Sequence, residues 1–532
     1  MSRSDTRHRR LALALAGLAA LALPGCATSA SRLAPERPDK PWVPQTNAAG
    51  EIVPGKASRV NPGAGPGAGP GAGPGAGFVL PATPAPPQQA RTPTVDTSRL
   101  YTLPELINLA ASNNPTTQVA WNDARRAALA AGIAESAFLP RITVGAIAGY
   151  QAGNSFQSFG VQPLTPIGFN NNGTLSGTVS AVSLQWLLFD FGERAALVDA
   201  AEQASLVSNI LFTAAHQKLI YTVSLAFYRH AAAQARLKTA VQSLKNSQTI
   251  QAAADDRYKQ GVGTVVEVAQ ARQVTAQAQL GKVQAEGAAQ DAYLTLVTAI
   301  GIPYSTRLRI GDVSGRPLSA AMIGPVETLI RETLTRRPDI QSAYAAEKIS
   351  LAKMRAAQSS FMPKLFVSAT GTYNSGNLNI TAMPTVGQEL PTLNVNGNQL
   401  GGSLLAGITF PLYDGGTRSA ALAQARIDVD SSKARLTQVR DEAIRQIVLA
   451  DNALHTSLAG YEAARTLVAA AQTTFDAALA AYRSGTGSVM ELAFAEAQLA
   501  QAKYAVSEAY STALAAAATL ALATGLLGSA PT

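Results

Sequence analysis

Long helical stretches dominate the pattern of apolar and polar residues along this 532-residue chain. Ala and larger apolar residues recur at helical spacing in two very long stretches, Glu193–Gln260 and Thr417–Ser484. Each is followed by a Gly-x-Gly sequence and then by a further helical stretch, at Thr264–Ala299 and Ser488–Thr524. Because glycine adopts backbone conformations that end a helix, each Gly-x-Gly predicts the turn of a helical hairpin.

Strand-like alternation of apolar and polar residues appears twice, each time after a shorter helical stretch that ends near a proline. The first predicted strands are Arg141–Tyr150 and Thr174–Phe189, joined by an Asn- and Gly-rich loop at Gly153–Gly173. The second pair is predicted at 365–373 and 404–410, around a loop at Gly376–Asn398. Strands of about ten to fifteen residues are long enough to cross a bilayer at a tilt.

The chain carries this plan twice. At an offset of 223 residues Pro140 falls on Pro363, and from residue 190 onward an offset of 224 places the turn sequence Arg257–Glu267 on Ala481–Glu491. The matches extend through helices, strands and turns, so an internal duplication decides the domain organisation. We divide the chain into two repeats, residues 98–312 and 313–532.

The N-terminal sequence predicts a lipoprotein signal. Four arginines precede an apolar segment from Leu11 to Leu23, in the order typical of a signal peptide. The segment ends in Leu-Pro-Gly-Cys, which resembles the lipobox of bacterial lipoproteins and implies cleavage of residues 1–25 and lipid on Cys26. An ordinary signal peptide with an incidental cysteine is the alternative. Residues 26–97, which contain four Pro-Gly-Ala-Gly units, have too few large apolar groups to build a core and predict a lipid-anchored linker.

Composition and charge mainly exclude functions. The formal charge is +9, and because residues 1–25 contribute four Arg and one Asp, the remainder carries 9 − 3 = +6. This charge is spread without a Lys/Arg cluster, so we expect no nucleic-acid partner. The four His lack metal-ligand spacing, and no phosphate loop or nucleophile elbow occurs, so we predict no enzyme, no metal site and no cofactor.

Two predicted hairpins cannot form a complete membrane structure. Four strands leave open edges, whose unpaired backbone groups are not tolerated in lipid. Other copies of the chain must therefore complete them, and three copies give twelve strands and a closed barrel with an even strand number. The Ala-rich helices, with Gln, Ser and Asp on some faces, would likewise close into a cylinder that lines water.

The duplicated plan, the prolines before the strands and the paired turns resemble the TolC-like outer-membrane efflux proteins, and more closely their lipid-anchored OprM type. The strand exits Leu188–Arg194 and Leu412–Arg418 belong to the same pattern, and the resemblance covers about residues 100–527. It implies a mainly α fold with membrane β: a homotrimer with a twelve-stranded β-barrel in the outer membrane, continued by a long periplasmic α-helical barrel. It also implies passive conduction of substrates delivered by an inner-membrane efflux pump, of RND type, through a periplasmic adaptor (membrane fusion) protein.

The resemblance also assigns roles to the paired turns. In the family the periplasmic end closes by inward coiling of helix pairs, held by bonds of a second-half Tyr and a first-half acidic residue, here Tyr482 and Glu267. Their repeat counterparts Tyr258 and Glu491 complete the candidate gate. Adaptor contacts are implied at the turn glycines, which are Gly261, Gly263, Gly485 and Gly487. On this basis, replacing Tyr482 by Phe and Glu267 by Ala is predicted to raise conductance. The alternative roles are structural: the tyrosines would pack between helices, and the carboxylates would stabilise a helix N-terminus.

Several positions depart from the family pattern. Glu267 and Glu491 stand where the motif often has Asp. Gly487 stands where some relatives have Arg, so no side chain at this position can bond to a neighbouring copy. Phe494 stands where some relatives have an acidic residue, so a cation-binding ring of carboxylates is not expected there.

Two other functions fit parts of the pattern. One is an exit duct for type I protein secretion, against which the lipobox argues; the other is a non-conducting structural coiled-coil lipoprotein, against which the strand pairs argue. The apolar segment Ser511–Gly528 suggests a membrane helix, but its first-repeat counterpart contains Asp291, so we interpret it as the last helix of the repeat. Aromatic residues near the predicted strand ends predict an interfacial girdle: Tyr150, Trp186, Phe189, Phe361, Tyr373 and Phe410.

Overall fold

The computed structural model describes residues 37–39, 45–46, 52–53, 96–159, 167–311, 318, 325–380, 393–396 and 399–527; the side chains of 45–46, 52–53, 149–176, 374 and 376–396 are outside this description. The predicted signal peptide, Cys26 and most of the predicted linker lie outside the described residues, so these predictions stay predictions.

Helices make up most of the described chain. They are α1 (Leu103–Asn113), α2 (Pro115–Ser136), α3 (Glu193–Lys259), α4 (Val265–Ile300), α5 (Val326–Thr333), α6 (Pro338–Ser359), α7 (Thr417–Ser484) and α8 (Val489–Ala523). The helices α3 and α7 have 67 and 68 residues, which confirms the two very long helices predicted from the apolar pattern. Each is about 100 Å long at a rise of about 1.5 Å per residue.

Local sequence explains where individual helices begin and end. Thr102 and Glu105 form a capping box at the start of α1, in which the Thr102 amide donates to the Glu105 carboxylate at 2.8 Å. Gly301, with a φ of +83°, ends α4 in the left-handed conformation typical of a helix C-terminus. The helix ends are thus encoded within a few residues of each boundary.

The strands fall into one large sheet and two small pairs. They are β1 (Gln45–Thr46), β2 (Ile52–Val53), β3 (Leu100–Tyr101), β4 (Arg141–Phe159), β5 (Ile167–Phe189), β6 (Arg309–Ile310), β7 (Lys364–Ile380), β8 (Leu393–Asn396) and β9 (Gln399–Thr409). The large sheet is antiparallel, with β4 beside β5, β5 beside β7, and β7 beside both β8 and β9. The strands of the two repeats therefore join directly through β5 and β7.

The register of this sheet places apolar residues of successive strands on one face. Val144 lies opposite Val182, Leu184 lies opposite Ala369, and Ala369 lies opposite Leu404. Because cross-strand partners share a face, these residues form a continuous apolar surface across β4, β5, β7 and β9. The predicted alternation is confirmed.

The other face of the sheet is mostly polar. Thr143 lies opposite Ser183, Ser183 opposite Thr370, and Thr370 opposite Ser403. The sheet thus separates an apolar face from a hydroxyl-rich one, the arrangement of a membrane barrel with lipid outside and water inside. In the described residues, neither β4 nor β9 has a second strand on its outer edge.

The predicted loops at Gly153–Gly173 and Gly376–Asn398 were wrong in extent. β4 continues to Phe159 and β5 begins at Ile167, with these two residues paired, and β7 continues to Ile380. Asn and Gly are poor strand formers by propensity, but pairing in a hairpin satisfies their backbone groups whatever the side chain. Tertiary pairing therefore overrides composition here.

The described chain divides into two compact units, each drawing on both repeats. One unit contains Leu129–Ala201 and Lys348–Asp430, and with them the large sheet; the other contains Glu202–Glu347, the described residues up to Ala128, and those from Ser431 onward. The largest apolar core of the second unit joins residues of α1, α3, α4 and α8: Leu106, Val223, Phe227, Leu296 and Leu514 among others.

Helix α8 is the helix in the described residues that is long and apolar enough to cross a membrane by length and composition. Leu492, Leu499 and Leu514 on this helix are buried against other helices of the second unit. It also follows the second Gly-x-Gly turn as α4 follows the first. These contacts favour the interpretation of α8 as the last helix of the repeat.

Candidate functional site

The two Gly-x-Gly sequences form matching turns, which we call the first turn (residues 257–267) and the second turn (residues 481–491). Gly261 and Gly485 have φ values of +77° and +84°, in the left-handed region that strains residues with a side chain. In each turn two successive amides donate to one helix carbonyl: Val262 N and Gly263 N to Arg257 O at 3.0 and 3.1 Å, and Thr486 N and Gly487 N to Ala481 O at 3.0 Å each. The predicted turns are confirmed.

The second glycine of each turn is needed for close packing. A Cβ atom on Gly263 would lie 2.9 Å from the Tyr258 amide nitrogen, and one on Gly487 would lie 3.1 Å from the Tyr482 amide nitrogen. A side chain on Gly263 would displace the preceding helix end, and one on Gly487 would require this helix end to shift by a few tenths of an ångström. Glycine at these two positions therefore fits the backbone of its own turn.

Glu267 and Glu491 both cap the helix that follows their turn. The Thr264 amide donates to the Glu267 carboxylate at 3.1 Å, and the Glu267 amide donates back to the Thr264 hydroxyl at 3.2 Å. Ser488 and Glu491 make the same two hydrogen bonds at 3.1 and 3.2 Å. These are capping boxes, so the structural role considered for both carboxylates is present.

The two tyrosines of the turns have different surroundings. Tyr482 is 2% exposed, whereas its counterpart Tyr258 is 48% exposed. The Tyr482 hydroxyl is buried and has no hydrogen-bond partner in the described structure, so the bond to Glu267 suggested by the resemblance is not formed within one chain. Burial raises the pKa of Tyr482 above its ordinary value; Arg257 opposes this effect and the Glu267 carboxylate adds to it.

Arg257 is a contact residue that the sequence analysis missed. Its Nη1 donates to the Tyr482 carbonyl at 3.2 Å, and its Cζ lies 5.2 Å from the centroid of the Tyr482 ring, within the range of a cation–π contact. The first and second turns are therefore joined by side chain within one chain. The signal available in the sequence was a difference between the copies: Arg257 precedes Tyr258, but Ala481 precedes Tyr482.

A buried carboxylic acid lies about one and a half turns of helix beyond the capping box of Glu491. Glu496 of α8 is buried, and burial raises the pKa of its carboxyl above the ordinary value, although hydrogen bonds with Ser243 and Asn246 of α3 and the charge of Lys503 act in the opposite direction. Its position lies between Leu492 and Leu499 in the helical pattern. The ionised form of Glu496 is therefore disfavoured in the folded protein.

Replacing Glu496 by Gln is expected to stabilise the protein near neutral pH. Because the pKa of Glu496 is higher in the folded protein than in the unfolded chain, the neutral acid contributes stability that is fully present below the unfolded pKa. This contribution is lost as the pH rises through the folded pKa. At about pH 7 the neutral amide avoids this loss, so the melting temperature should rise by a few degrees, and the gain should vanish below about pH 4. Thermal unfolding of the purified protein across this range measures the effect.

Glu508→Gln is the matched control because Glu508 is an exposed residue of the same helix. It should leave the pH dependence of the melting temperature as in the wild type. A Glu496→Gln protein that melts lower than the wild type at neutral pH would show that the ionised carboxylate stabilises the fold.

Apolar side chains are exposed beside the second turn. Phe494 is 66% exposed and Met490, four residues earlier on the same helix, is also exposed. Positions four residues apart share a helix face, so the two side chains form one apolar surface. Among the residues that the structure describes, no group of three or more His, Cys, Asp or Glu could hold a metal ion.

A second cluster of polar contacts lies between the end of β5 and the start of α3. The Asp190 carboxylate accepts from the Arg194 amide and from Arg194 Nε, each at 2.9 Å, and Arg194 Nη1 donates to the Ala137 carbonyl at 2.9 Å. The guanidinium also lies 4.8 Å from the Phe138 ring centroid. Burial alone would raise the pKa of Asp190, but the hydrogen bonds and charge of Arg194 outweigh it and lower that pKa.

Comparison with known proteins now gives the family. The model of the outer membrane efflux protein family matches residues 106–302 and 329–526, one match in each repeat. The chain therefore belongs to the outer membrane efflux protein family.

Individual relatives agree with this assignment. The chain is 26% identical to Protein CyaE of Bordetella pertussis over 390 residues, which cover 73% of this chain and 76% of that protein. It is 22% identical to outer membrane protein TolC of Escherichia coli over 420 residues, covering 77% and 80%. The fold is similar to the crystal structure of the outer membrane protein VceC from Vibrio cholerae, with a TM-score of 0.64, 20% identity and coverage of 80% of this chain and 96% of that one.

The family, the fold and the two-faced sheet agree on one class of function. The protein is an exit channel of an efflux system, located in the outer membrane and extending into the periplasm. The resemblance on which the sequence analysis relied is confirmed.

Proposed function

We propose that three copies of the chain form the outer-membrane duct of a tripartite efflux system, of RND type. Each copy supplies β4, β5, β7 and β9 to a twelve-stranded barrel, and the long helices of the three copies continue it as a water-lined tunnel in the periplasm. The observation that carries the proposal is the large sheet, in which β8 and β9 follow one another along β7: it has one apolar face and one polar face, and among the described residues no further strand lies on the outer edge of β4 or β9. Only pairing with further strands removes such edges from lipid.

The paired turns are the proposed periplasmic end of this duct. Gly261, Gly263, Gly485 and Gly487 would present the turns to the hairpins of a periplasmic adaptor, which delivers substrate from an inner-membrane pump. Tyr482, Glu267, Glu491 and Tyr258 belong to the proposed gate. Glu267 and Glu491 serve it by fixing the helix starts, since both are already engaged as caps.

The N-terminus supplies the proposed second attachment to the outer membrane. Lipid on Cys26 would anchor the mature chain in addition to the barrel, and residues 26–97 would act as the tether between the lipid and the first repeat. The two repeats, residues 98–312 and 313–532, are the proposed evolutionary units. Aromatic residues such as Trp186 and Phe410, which are exposed in the single chain, would form the interfacial girdle.

The assembly is tested by the mass of the protein purified from outer membranes in mild detergent. Native mass spectrometry should give three times the mass of one mature chain, and heating in strong detergent should return one chain mass. A protein that stays a single chain in several mild detergents and in lipid nanodiscs would contradict the proposed barrel.

A further inference from the structure

One seam runs between α3 of the first repeat and α8 of the second, and we call it the within-chain seam. The Ser511 hydroxyl donates to the Tyr228 carbonyl at 3.0 Å across it. Further along, the Arg236 guanidinium carbon lies 5.0 Å from the centroid of the Tyr504 ring. The seam is thus held by polar and cation–π contacts in addition to apolar packing.

Arg257 extends these contacts beyond the within-chain seam to the second turn, because its partner Tyr482 belongs to the end of α7 and not to α8. It is near the end of α3, donates to the carbonyl of Tyr482 and lies against its ring, at the distances given above. Arg257 Nε and the Tyr482 hydroxyl are both buried and both lack a hydrogen-bond partner in the described structure. The burial of these two atoms lowers the net stability that the guanidinium–carbonyl and guanidinium–ring contacts give, and both atoms would regain hydrogen bonds in water once the contact releases.

The duplication provides an internal comparison for the within-chain seam. At the offset of 224 residues, α7 takes the place of α3 and α4 takes the place of α8. The counterparts of the four contact residues are Ala481 for Arg257, Gly460 for Arg236, Leu280 for Tyr504 and Tyr258 for Tyr482. Neither cation–π pair can form between these residues, because both arginines are replaced by small side chains.

The counterpart residues are also uncovered in a single chain. Tyr258 and Leu280 are exposed, whereas Tyr482 is buried and Tyr504 is partly buried. Within one chain, the Arg257–Tyr482 and Arg236–Tyr504 contacts therefore have no equivalent between the counterpart residues.

We propose that Arg257 clamps the second turn to α3 in the closed channel, through its contacts with the ring and the carbonyl of Tyr482, so that the within-chain seam must release for the duct to open. This inference rests on the proposed function, since it assigns the contact that keeps the proposed gate shut. Arg257 is a positioning residue: it holds α7 and α8 near their shared turn and touches no substrate. The ring of Tyr482, and not its hydroxyl, carries the contact.

The test is the current through purified full-length trimers in planar lipid bilayers. Arg257→Ala and Tyr482→Leu each remove the guanidinium–ring contact and should raise the time-averaged current by about fivefold or more, as expected for the loss of one desolvated cation–π contact. Arg483→Ala is the matched control, because it removes the same charge from the exposed residue next to Tyr482 and should leave the current at the wild-type level.

Tyr482→Phe separates the ring from the hydroxyl. The Phe ring can still lie against the Arg257 guanidinium and the unpaired hydroxyl is gone, so this variant should keep the current near the wild-type level. An equal increase in the two variants would assign the gate to a bond of the hydroxyl and would overturn the proposal. Unchanged current in both Arg257→Ala and Tyr482→Leu would overturn it too.

Cross-linking tests the same contact by comparing one protein before and after the two turns are joined. In a protein with both Arg257→Cys and Tyr482→Cys, the unlinked form should conduct more than the wild type, and linking the thiols with a short bis-maleimide should return the current to the wild-type closed level. Equal current before and after linking would contradict the clamp. Wild-type protein treated with the reagent controls for its native cysteine.

The failure of the clamp and the failure of the channel are distinguishable. If the wild type conducts and the Arg257 and Tyr482 variants match it, the channel stands and the clamp is wrong. If no protein gives a current, including the unlinked cysteine variant, the proposed channel function is wrong and the proposed clamp is wrong with it.

Discussion

Replacing Asp190 by Ala is expected to destabilise the protein by about 3–5 kcal/mol, because the change leaves the buried Arg194 without its carboxylate. The side chains of Asp190 and Arg194 are 6% and 9% exposed, and the carboxylate also accepts the Arg194 amide at the start of α3. Chemical unfolding followed by circular dichroism measures the loss. The lowered pKa of Asp190 means that its stabilisation is present above the unfolded pKa and lost as the pH falls through the folded pKa. The difference between variant and wild type should therefore shrink in acid.

The second repeat provides the control for this prediction. After β9, the Asp414 carboxylate likewise accepts from the Arg418 amide and from Arg418 Nε, but the two side chains are more exposed, at 31% and 17%. Asp414→Ala should cost about 1 kcal/mol, the usual effect of losing a helix cap. Equal losses in the two variants would show that burial does not distinguish the two junctions.

Replacing Leu404 by Arg is expected to prevent insertion of the channel into the outer membrane. Leu404 lies on the apolar face of β9 and is 76% exposed in the single chain. In a barrel this face contacts lipid, where an arginine costs about 2–4 kcal/mol near the bilayer centre, and three copies would each bear that cost. The amount of heat-resistant trimer in outer-membrane fractions measures the outcome.

The neighbouring residue Ser403 is the matched control. It is on the same strand but on the polar face, opposite Thr370, so Ser403→Arg places the same charge toward the water-filled side. This variant should still insert and form trimers. If Ser403→Arg failed and Leu404→Arg succeeded, the assignment of the two faces would have to be exchanged.

Much of the fold could be predicted because periodicity and duplication reinforce each other. The ends of α7 agree with the prediction residue for residue, and the other long helix, α3, ends one residue earlier than predicted. Gly261 and Gly485 identify the two turns because few other residues accept their backbone conformation. The alternation in β5 and β7 correctly predicted which residues share a face.

The sequence did not predict features that depend on contacts between residues far apart in the chain. The strand extensions beyond Tyr150 and Tyr373 depend on pairing with a neighbour, which Asn and Gly do not indicate locally. The Tyr and Glu that the two turns share gave no reason to expect that Tyr482 is buried and Tyr258 exposed. Tyr482 packs in an apolar cluster with residues of the first repeat such as Ile250 and Ala254, and this packing depends on contacts between distant parts of the chain.

Glu496 shows a similar limit. A glutamate on a helix rich in Ala is normally solvated, and only the packing of α8 against α3 places this carboxyl beside Ser243 and Asn246. Spacing along one helix cannot reveal a partner on another. The predicted lipid anchor at Cys26 lies outside the described residues and stays a prediction.

Single-channel recording of the purified protein in planar bilayers tests whether three chains form a conducting duct. Discrete ion currents are expected from a species with the mass of three chains, and the wild-type channels should be closed for most of the recording. A protein that is a single chain and gives no current at any voltage, salt concentration or pH tried would contradict the assignment of a trimeric duct.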